Sequence, residues 1–433
     1  MSYVRDPVPG IDPALAADAL VAGAAVRTPG ARLLARLAAL AAALLAAVLA
    51  VLAVAVRPAS AATLTQVTNF GSNPGNLNMY VYRPDGLGSG APVVVAMHGC
   101  SQNANAYYTN SGWPKYADLY RFIVVFPEQK TANNSTACFN WFTAGDVARG
   151  QGEALSVKQM VDYVQNTYGA DPSRTFVTGL SAGGAFAAVM LATYPDVFEA
   201  GSIVAGIPYG CAPATSPYIC MFTGVSKTPA QWGNLVRNAF PGYSGPYPRV
   251  SIWHGTSDTV VVPANANASR DQWTNVWGIS TTPTSTSTLP ANTTVENYDS
   301  GGQTVVRVQR VGGMGHGTPV DPGSATNQCG ATGAYFLDTV CSAYYDAQFF
   351  GLGSGSGPTS SPTASPTSPT TPPSGPCFTA SNYAHTLAGR AYQVLGQTYA
   401  VGSNQPMGLW NIYVVHTLRQ TGPNYYVLAD GEC

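Results

Sequence analysis

Hydrophobic and polar positions follow two different rhythms through the middle of the chain. Val93 to Met97 and Phe122 to Phe126 are short runs without a polar residue, the pattern of strands buried on both faces. From Glu153 to Tyr168 the apolar residues Val157, Met160, Val161, Val164 and Tyr168 recur at helical spacing, and Gly169 with Asp171-Pro172 supplies a stop. Thr175 to Thr178 reads as a strand and Ala182 to Thr193 as an Ala-rich helix. Val250 to Trp253 and Val305 to Val311 read as further strands. Strands alternating with helices predict an α/β fold with a mostly parallel sheet covered on both faces.

The rhythm changes after residue 352. Gly353 to Pro376 is almost all Gly, Ser, Thr and Pro, which cannot bury apolar surface and stays extended as a linker. It separates a region of residues 62–352 from a tail of residues 377–433. In the tail, Trp410 to Leu418 alternates as a strand, Thr421-Gly422-Pro423-Asn424 is a turn, and Tyr425 to Ala429 is a second strand. Gly396 interrupts the stretch from Tyr392 to Val401 in a similar way. This is a small β-rich module with Cys377 and Cys433 at its two ends. A bridge between them would contribute about 4 kcal/mol on the chain-entropy model.

At the other end, Arg27, Arg32 and Arg36 precede an unbroken apolar run from Leu37 to Val56, and Ala59-Ser60-Ala61 follows. That order predicts an export signal within residues 1–61 and a secreted protein free of the membrane after cleavage. A membrane anchor is the competing reading, since roughly 20 apolar residues can span a bilayer. The small-residue cleavage pattern favours export. Residues 1–26 are long and acidic for a signal's first segment, which predicts a start downstream.

Charged residues make up only 9% of the chain and the formal net charge is -1. No basic footprint for a nucleic acid exists. All eight cysteines follow residue 61, an even number that reads as disulfides in an exported chain. Cys211 with Cys220 and Cys329 with Cys341 are the expected short-range pairs. No Cys/His cluster has zinc spacing, and neither H-E-x-x-H nor G-x-x-x-x-G-K occurs, so neither metal nor cofactor is expected.

Gly179-Leu180-Ser181-Ala182-Gly183 is the one G-x-S-x-G of the chain, between a strand and a helix. This is the context of a nucleophile elbow, in which the turn is so sharp that Gly179 and Gly183 must lack bulk. A serine hydroxyl needs a base to become a nucleophile. In hydrolase order, the acid and then the histidine follow the serine. His316, in the Gly-rich loop after Val305 to Val311, is the candidate base; His385 and His416 lie beyond the linker. Asp258, on the loop after Val250 to Trp253, is the candidate acid that would orient the imidazole. Asp196 and Asp271 compete but fall in helix-like surroundings. His254 is too close to Asp258 in sequence to be the base and reads as a structural hydrogen-bond former. The backbone amides of Ala182 and Cys100 are the candidate oxyanion hole. The Cys100 thiol itself reads as a disulfide partner, with a second nucleophile as the rival.

With these residues placed, a resemblance emerges. Phe70 to Gly75, His98-Gly99-Cys100-Ser101-Gln102, Cys138-Phe139-Asn140-Trp141 and Arg149-Gly150-Gln151-Gly152-Glu153 resemble extracellular polyhydroxybutyrate depolymerases. So do Gly179 to Gly184 and His254 to Asp258. Feruloyl and acetylxylan esterases share most of these motifs. The likeness covers residues 64–350 and implies an α/β-hydrolase fold with Ser181, Asp258 and His316 as its triad. The segments Cys377 to His385, Ala388 to Tyr392, Gly402 to Asn404 and Met407 to Asn411 are similar to the C-terminal substrate-binding domain of short-chain polyhydroxyalkanoate depolymerases. The resemblance implies an insoluble polyester or polysaccharide as partner. Polyhydroxybutyrate cleavage through an acyl-enzyme is the leading expectation, and a feruloyl or acetylxylan esterase acting on plant cell wall is the alternative. A non-catalytic adhesion protein is the third reading, opposed by the intact Ser, Asp, His order. Trp113 and Trp141 could line the cleft or pack in the core; Trp410, Tyr413, Tyr425 and Tyr426 are candidates for gripping a neutral polymer.

Overall fold

The structure is a computed structural model that describes residues 62–211, 218–353, 375–394, 396–403, 405–422 and 425–430. The expected export signal, nearly all of the expected linker, Cys433 and the Pro423-Asn424 half of the tail's turn lie outside the described residues. The chain divides into two compact units, one ending at Pro358 and one beginning at Thr359.

The first unit contains β1 (Thr65–Val67), β2 (Asn78–Tyr82), β3 (Val93–Met97), β4 (Ile123–Glu128), β5 (Thr175–Leu180), β6 (Ala200–Val204), β7 (Arg249–Gly255), β8 (Ser285–Leu289), β9 (Thr293–Ser300) and β10 (Gln303–Val311). They form one sheet in the order β1-β2-β4-β3-β5-β6-β7-β10-β9-β8. From β4 to β10 the neighbours run parallel, while β1, β2, β9 and β8 extend the two flanks antiparallel. Sequence periodicity found β3, β4, β5, β7 and β10 but not the central β6, whose Ala-Gly-Ser start carries no strand signal. It passed over β8, whose Ser-Thr-Ser-Thr-Leu is almost wholly exposed.

Alternation along β3 feeds two cores. Val93, Val95 and Met97 pack with Val157, Met160, Val161 and Val164 of the helix Gly152–Tyr168. Val94 and Ala96 pack on the other face with Trp113, Tyr116 and Phe350. Full burial of one such aliphatic side chain stabilises by roughly 1.5–3 kcal/mol. The helix Ala182–Thr193 is buried at every position, which its small residues permit. The open question about the two tryptophans resolves to core. Trp113 lies parallel to Phe350 at 6.0 Å, and Trp141 meets Phe142 edge-on at 5.3 Å. Disulfides join Cys100 to Cys138, Cys211 to Cys220 and Cys329 to Cys341. The last closes a loop that contains β12 (Phe336–Asp338), which pairs in parallel with β11 (Thr318–Val320).

The second unit holds β13 (Cys377–Ser381), β14 (Ala391–Val394), β15 (Gln397–Ala400), β16 (Pro406–Leu409), β17 (Val415–Gly422) and β18 (Tyr425–Leu428). They make two three-stranded sheets, β13-β17-β18 and β14-β15-β16. The expected single strand from Trp410 to Leu418 is instead broken. Asn411 is the cause: its side-chain oxygen accepts from the amides of Tyr413 and Val414, both at 2.8 Å, and turns the chain between β16 and β17. The unit's core is small, comprising Ala391, Ala400, Met407, Leu418 and Tyr426. Among the described residues no helix is long and apolar enough to cross a membrane.

Candidate active site

The parallel strands end at one edge of the sheet, and the candidate residues leave from those ends. Ser181 follows β5 directly and has φ 55° and ψ -117°, a left-handed conformation that costs a non-glycine residue about 1–3 kcal/mol. Its amide donates to Val204 O at 2.9 Å and its carbonyl accepts from Ala185 N at 2.8 Å, so strand and helix hold the strained turn. The flanking glycines are needed for close approach. A Cβ on Gly183 would lie 2.4 Å from Met97 O, and one on Gly179 would lie 2.4 Å from Gly183 O.

Asp258 and His316 leave from β7 and β10, which are adjacent and parallel. Their loops are zipped together. Thr256 N donates to Val311 O at 3.0 Å, Ser257 N to Met314 O at 3.0 Å, and Gly313 N to Thr256 Oγ1 at 2.8 Å. His316 Nδ1 then meets Asp258 Oδ2 at 2.7 Å. The other carboxylate oxygen, Oδ1, accepts from the amides of Val260 and Val261, both at 2.9 Å. Burial alone would raise the Asp258 carboxyl. The His316 hydrogen bond and charge, with the Val261 amide, outweigh it and hold the group below its ordinary value. His254 takes the structural role expected of it. Its Nε2 donates to Val261 O at 2.7 Å, and burial depresses its basicity. The competing acids are engaged elsewhere: Asp196 forms a two-point ion pair with Arg149, both contacts at 2.7 Å, and Asp271 pairs with Arg270.

Ser181 and His316 line one cavity of about 140 Å³ together with Gly99, Cys100 and Ser101; Leu180, Met221, Val260 and Tyr335 complete it. Behind the Cys100 loop stands buried His98. Its Nε2 accepts from Gln129 N at 3.1 Å, so the proton is on Nδ1, which donates to Gly99 O at 2.7 Å. Burial pushes this imidazole down to about 4 and keeps it neutral. In a planar trans peptide the carbonyl and the following N–H point to opposite sides. By fixing Gly99 O, His98 therefore directs the Cys100 N–H away from itself. Among the described residues no hydrogen bond engages that amide or the amide of Ala182. Gln129 in turn bonds buried Glu153, which also accepts from Asn140 N at 2.8 Å. Burial raises the Glu153 carboxyl to about 8 despite these hydrogen bonds.

The structure thus brings Ser181, His316 and Cys100 to one cavity, with Asp258 behind the imidazole and Ala182 at the helix start. Sequence reading missed Met221, Val260 and Tyr335, which belong to no motif and reach the cavity only through the fold. It also missed Gln129 and the role of Glu153; a lone Glu inside an otherwise apolar helical face was the available signal. Among the described residues no group of three or more His, Cys, Asp or Glu side chains is placed to hold a metal.

A strained serine between a parallel strand and a buried helix, beside an imidazole-carboxylate pair from two later strands, defines the α/β-hydrolase class. Comparison with known proteins narrows this. The chain belongs to the esterase PHB depolymerase family, whose pattern matches residues 77–296. It is a carboxylic ester hydrolase. It is 52% identical over 303 residues to poly(3-hydroxyalkanoate) depolymerase C of Paucimonas lemoignei, covering 70% of this chain and 73% of that one. It is 38% identical over 281 residues to feruloyl esterase B of Talaromyces stipitatus, covering 63% of this chain and 77% of that one. Among solved structures, an acetyl xylan esterase from Aspergillus awamori superposes with a TM-score of 0.58 at 30% identity, covering 67% of this chain and 99% of that one.

Proposed function

We propose that this protein is an exported serine esterase that cleaves polyhydroxybutyrate. The observation that carries the mechanism is the 2.7 Å contact between His316 and Asp258 at a cavity shared with Ser181. His316 takes the Ser181 proton as the hydroxyl adds to the ester carbonyl. The amides of Ala182 and Cys100 receive the developing oxyanion. Collapse expels the alcohol, protonated by His316, and leaves an acyl-enzyme. Water activated by the same imidazole then releases the hydroxyacid end. Asp258 holds the ring in the correct tautomer and stabilises its charged form.

Two observations support polyester over a plant-wall ester. The cavity is well below the roughly 300–1,000 Å³ that holds a drug-sized ligand, which suits a short acyl unit better than an aromatic one. The tail exposes Leu409, Trp410, Ile412 and Tyr413 on and beside one turn, a surface suited to an apolar solid. On this reading residues 62–352 carry the chemistry, residues 353–376 tether, and residues 377–433 hold the polymer. The three disulfides of the first unit suit an oxidising, extracellular setting. Product release should be compared on polyhydroxybutyrate film and on a feruloylated arabinoxylan. Hydroxybutyrate oligomers from the film support the proposal; ferulate release with an untouched film rejects it in favour of the plant-wall esterase.

A further inference from the structure

Tyr335 pays for its position without a structural return. Its φ is 64°, a left-handed conformation that is exceptional for a bulky side chain. The residue is 45% exposed, so it contributes little to any core. Its hydroxyl has no hydrogen-bond partner among the described residues. Yet the backbone around it is fastened on every side. Thr318 N donates to Tyr335 O at 2.8 Å, Gly333 and Phe336 exchange two hydrogen bonds, and the Cys329–Cys341 bridge closes the loop. Gln102 adds a tie to the oxyanion loop: its side chain accepts from Gly99 N at 2.9 Å and donates to Ala334 O at 3.2 Å. The outcome of this fastening is a ring held edge-on to His316, centroids 5.9 Å apart, as a wall of the cavity that contains Ser181. Strain that the surrounding structure maintains beside a reacting group is characteristic of functional positions.

We propose that Tyr335 is a specificity-determining residue, whose ring packs against the acyl chain and favours esters of about four carbons over acetyl esters. With no bond to its hydroxyl, the ring face and edge are what it offers. On this proposal an acetyl group stops short of that wall and a butyrate-sized chain reaches it. The inference rests on Ser181 as nucleophile, and its test separates the two claims.

The test compares kcat/KM for p-nitrophenyl butyrate and p-nitrophenyl acetate in the full chain and in Tyr335→Gly and Tyr335→Phe. Glycine accepts the left-handed backbone, so Tyr335→Gly should melt no lower than the parent. The butyrate-to-acetate ratio should fall at least about fivefold in Tyr335→Gly, with acetate turnover within about twofold. Tyr335→Phe should keep the parent ratio. An unchanged ratio in Tyr335→Gly, or equal losses on both esters, overturns the proposal, the latter by making Tyr335 a support for His316. Either result in a protein whose Ser181→Ala variant is inactive removes the Tyr335 role alone, whereas turnover by Ser181→Ala removes both claims.

Discussion

The two units differ in how much of their large apolar side-chain content they bury. In the first, Trp232, Trp253, Trp273, Phe176 and Phe186 are fully buried, Leu119, Tyr218, Ile219 and Phe222 are exposed, and His316 at the cavity is held by buried Asp258. In the second, the core is Ala391, Ala400, Met407, Leu418 and Tyr426, while Trp410, Ile412, Tyr413 and Val415 face solvent, Tyr413 at 85%. A small module short of core material would gain from burying those rings. Left outside, they offer the apolar area that the proposed polymer-holding role would use. The contrast fits the proposal that one unit places the reacting groups and the other holds the polymer.

The sharpest break of that division is in the first unit. Ser181→Ala and His316→Ala should each lower turnover of a soluble ester by on the order of a million-fold, because the two act together. Asp258→Asn should cost about ten-thousand-fold by favouring the wrong tautomer. A variant of Ser181 or His316 that keeps a tenth of the parent rate refutes the assignment. In the second unit, deleting residues 353–433 should leave soluble-ester hydrolysis within about threefold while slowing granule degradation at least about tenfold. Trp410→Ala combined with Tyr413→Ala in the full chain should reproduce most of that loss in a granule sedimentation assay. If the double variant sediments like the parent, the exposed turn is not the adhesive face.

A subtler measurement concerns Glu153. Its carboxyl is raised by burial to about 8, well above the 4.5 of a free glutamate, so the folded state binds the proton more tightly than the unfolded one. Stability should therefore decline as pH rises from about 5 to about 8. Glu153→Gln should flatten that slope in thermal melts across the same window. A slope identical to the parent's would mean that another group carries it.

These tests also show where the chain could be read without coordinates. Most central strands, β6 excepted, were legible because Val93 to Met97 and its neighbours are largely apolar on both faces, and the helix Gly152–Tyr168 because its buried positions recur at 3 and 4 residue steps. The convergence of Ser181, Asp258 and His316 was legible because a sharp turn needs glycines and because loops after parallel strands share one edge. The wall made by Met221, Val260 and Tyr335 was not, since no local pattern says which loops will meet. The tail misled at Asn411, where a single side chain captured two amides and ended a strand that alternation would have continued.

The Cys100–Cys138 bridge has one more consequence, for the timing of activity. Cys100 supplies the amide proposed to receive the oxyanion, and the bridge ties that residue to the segment beside Glu153. In a reducing cytoplasm the bond would not persist. A reduced chain would then keep its serine, imidazole and carboxylate but hold the oxyanion loop by hydrogen bonds alone, those of His98 and Gln102 and that of Ser101 N to Thr136 O at 2.7 Å. If the chain is exported as proposed, full competence would arrive with oxidation, and maturation and secretion would become one event.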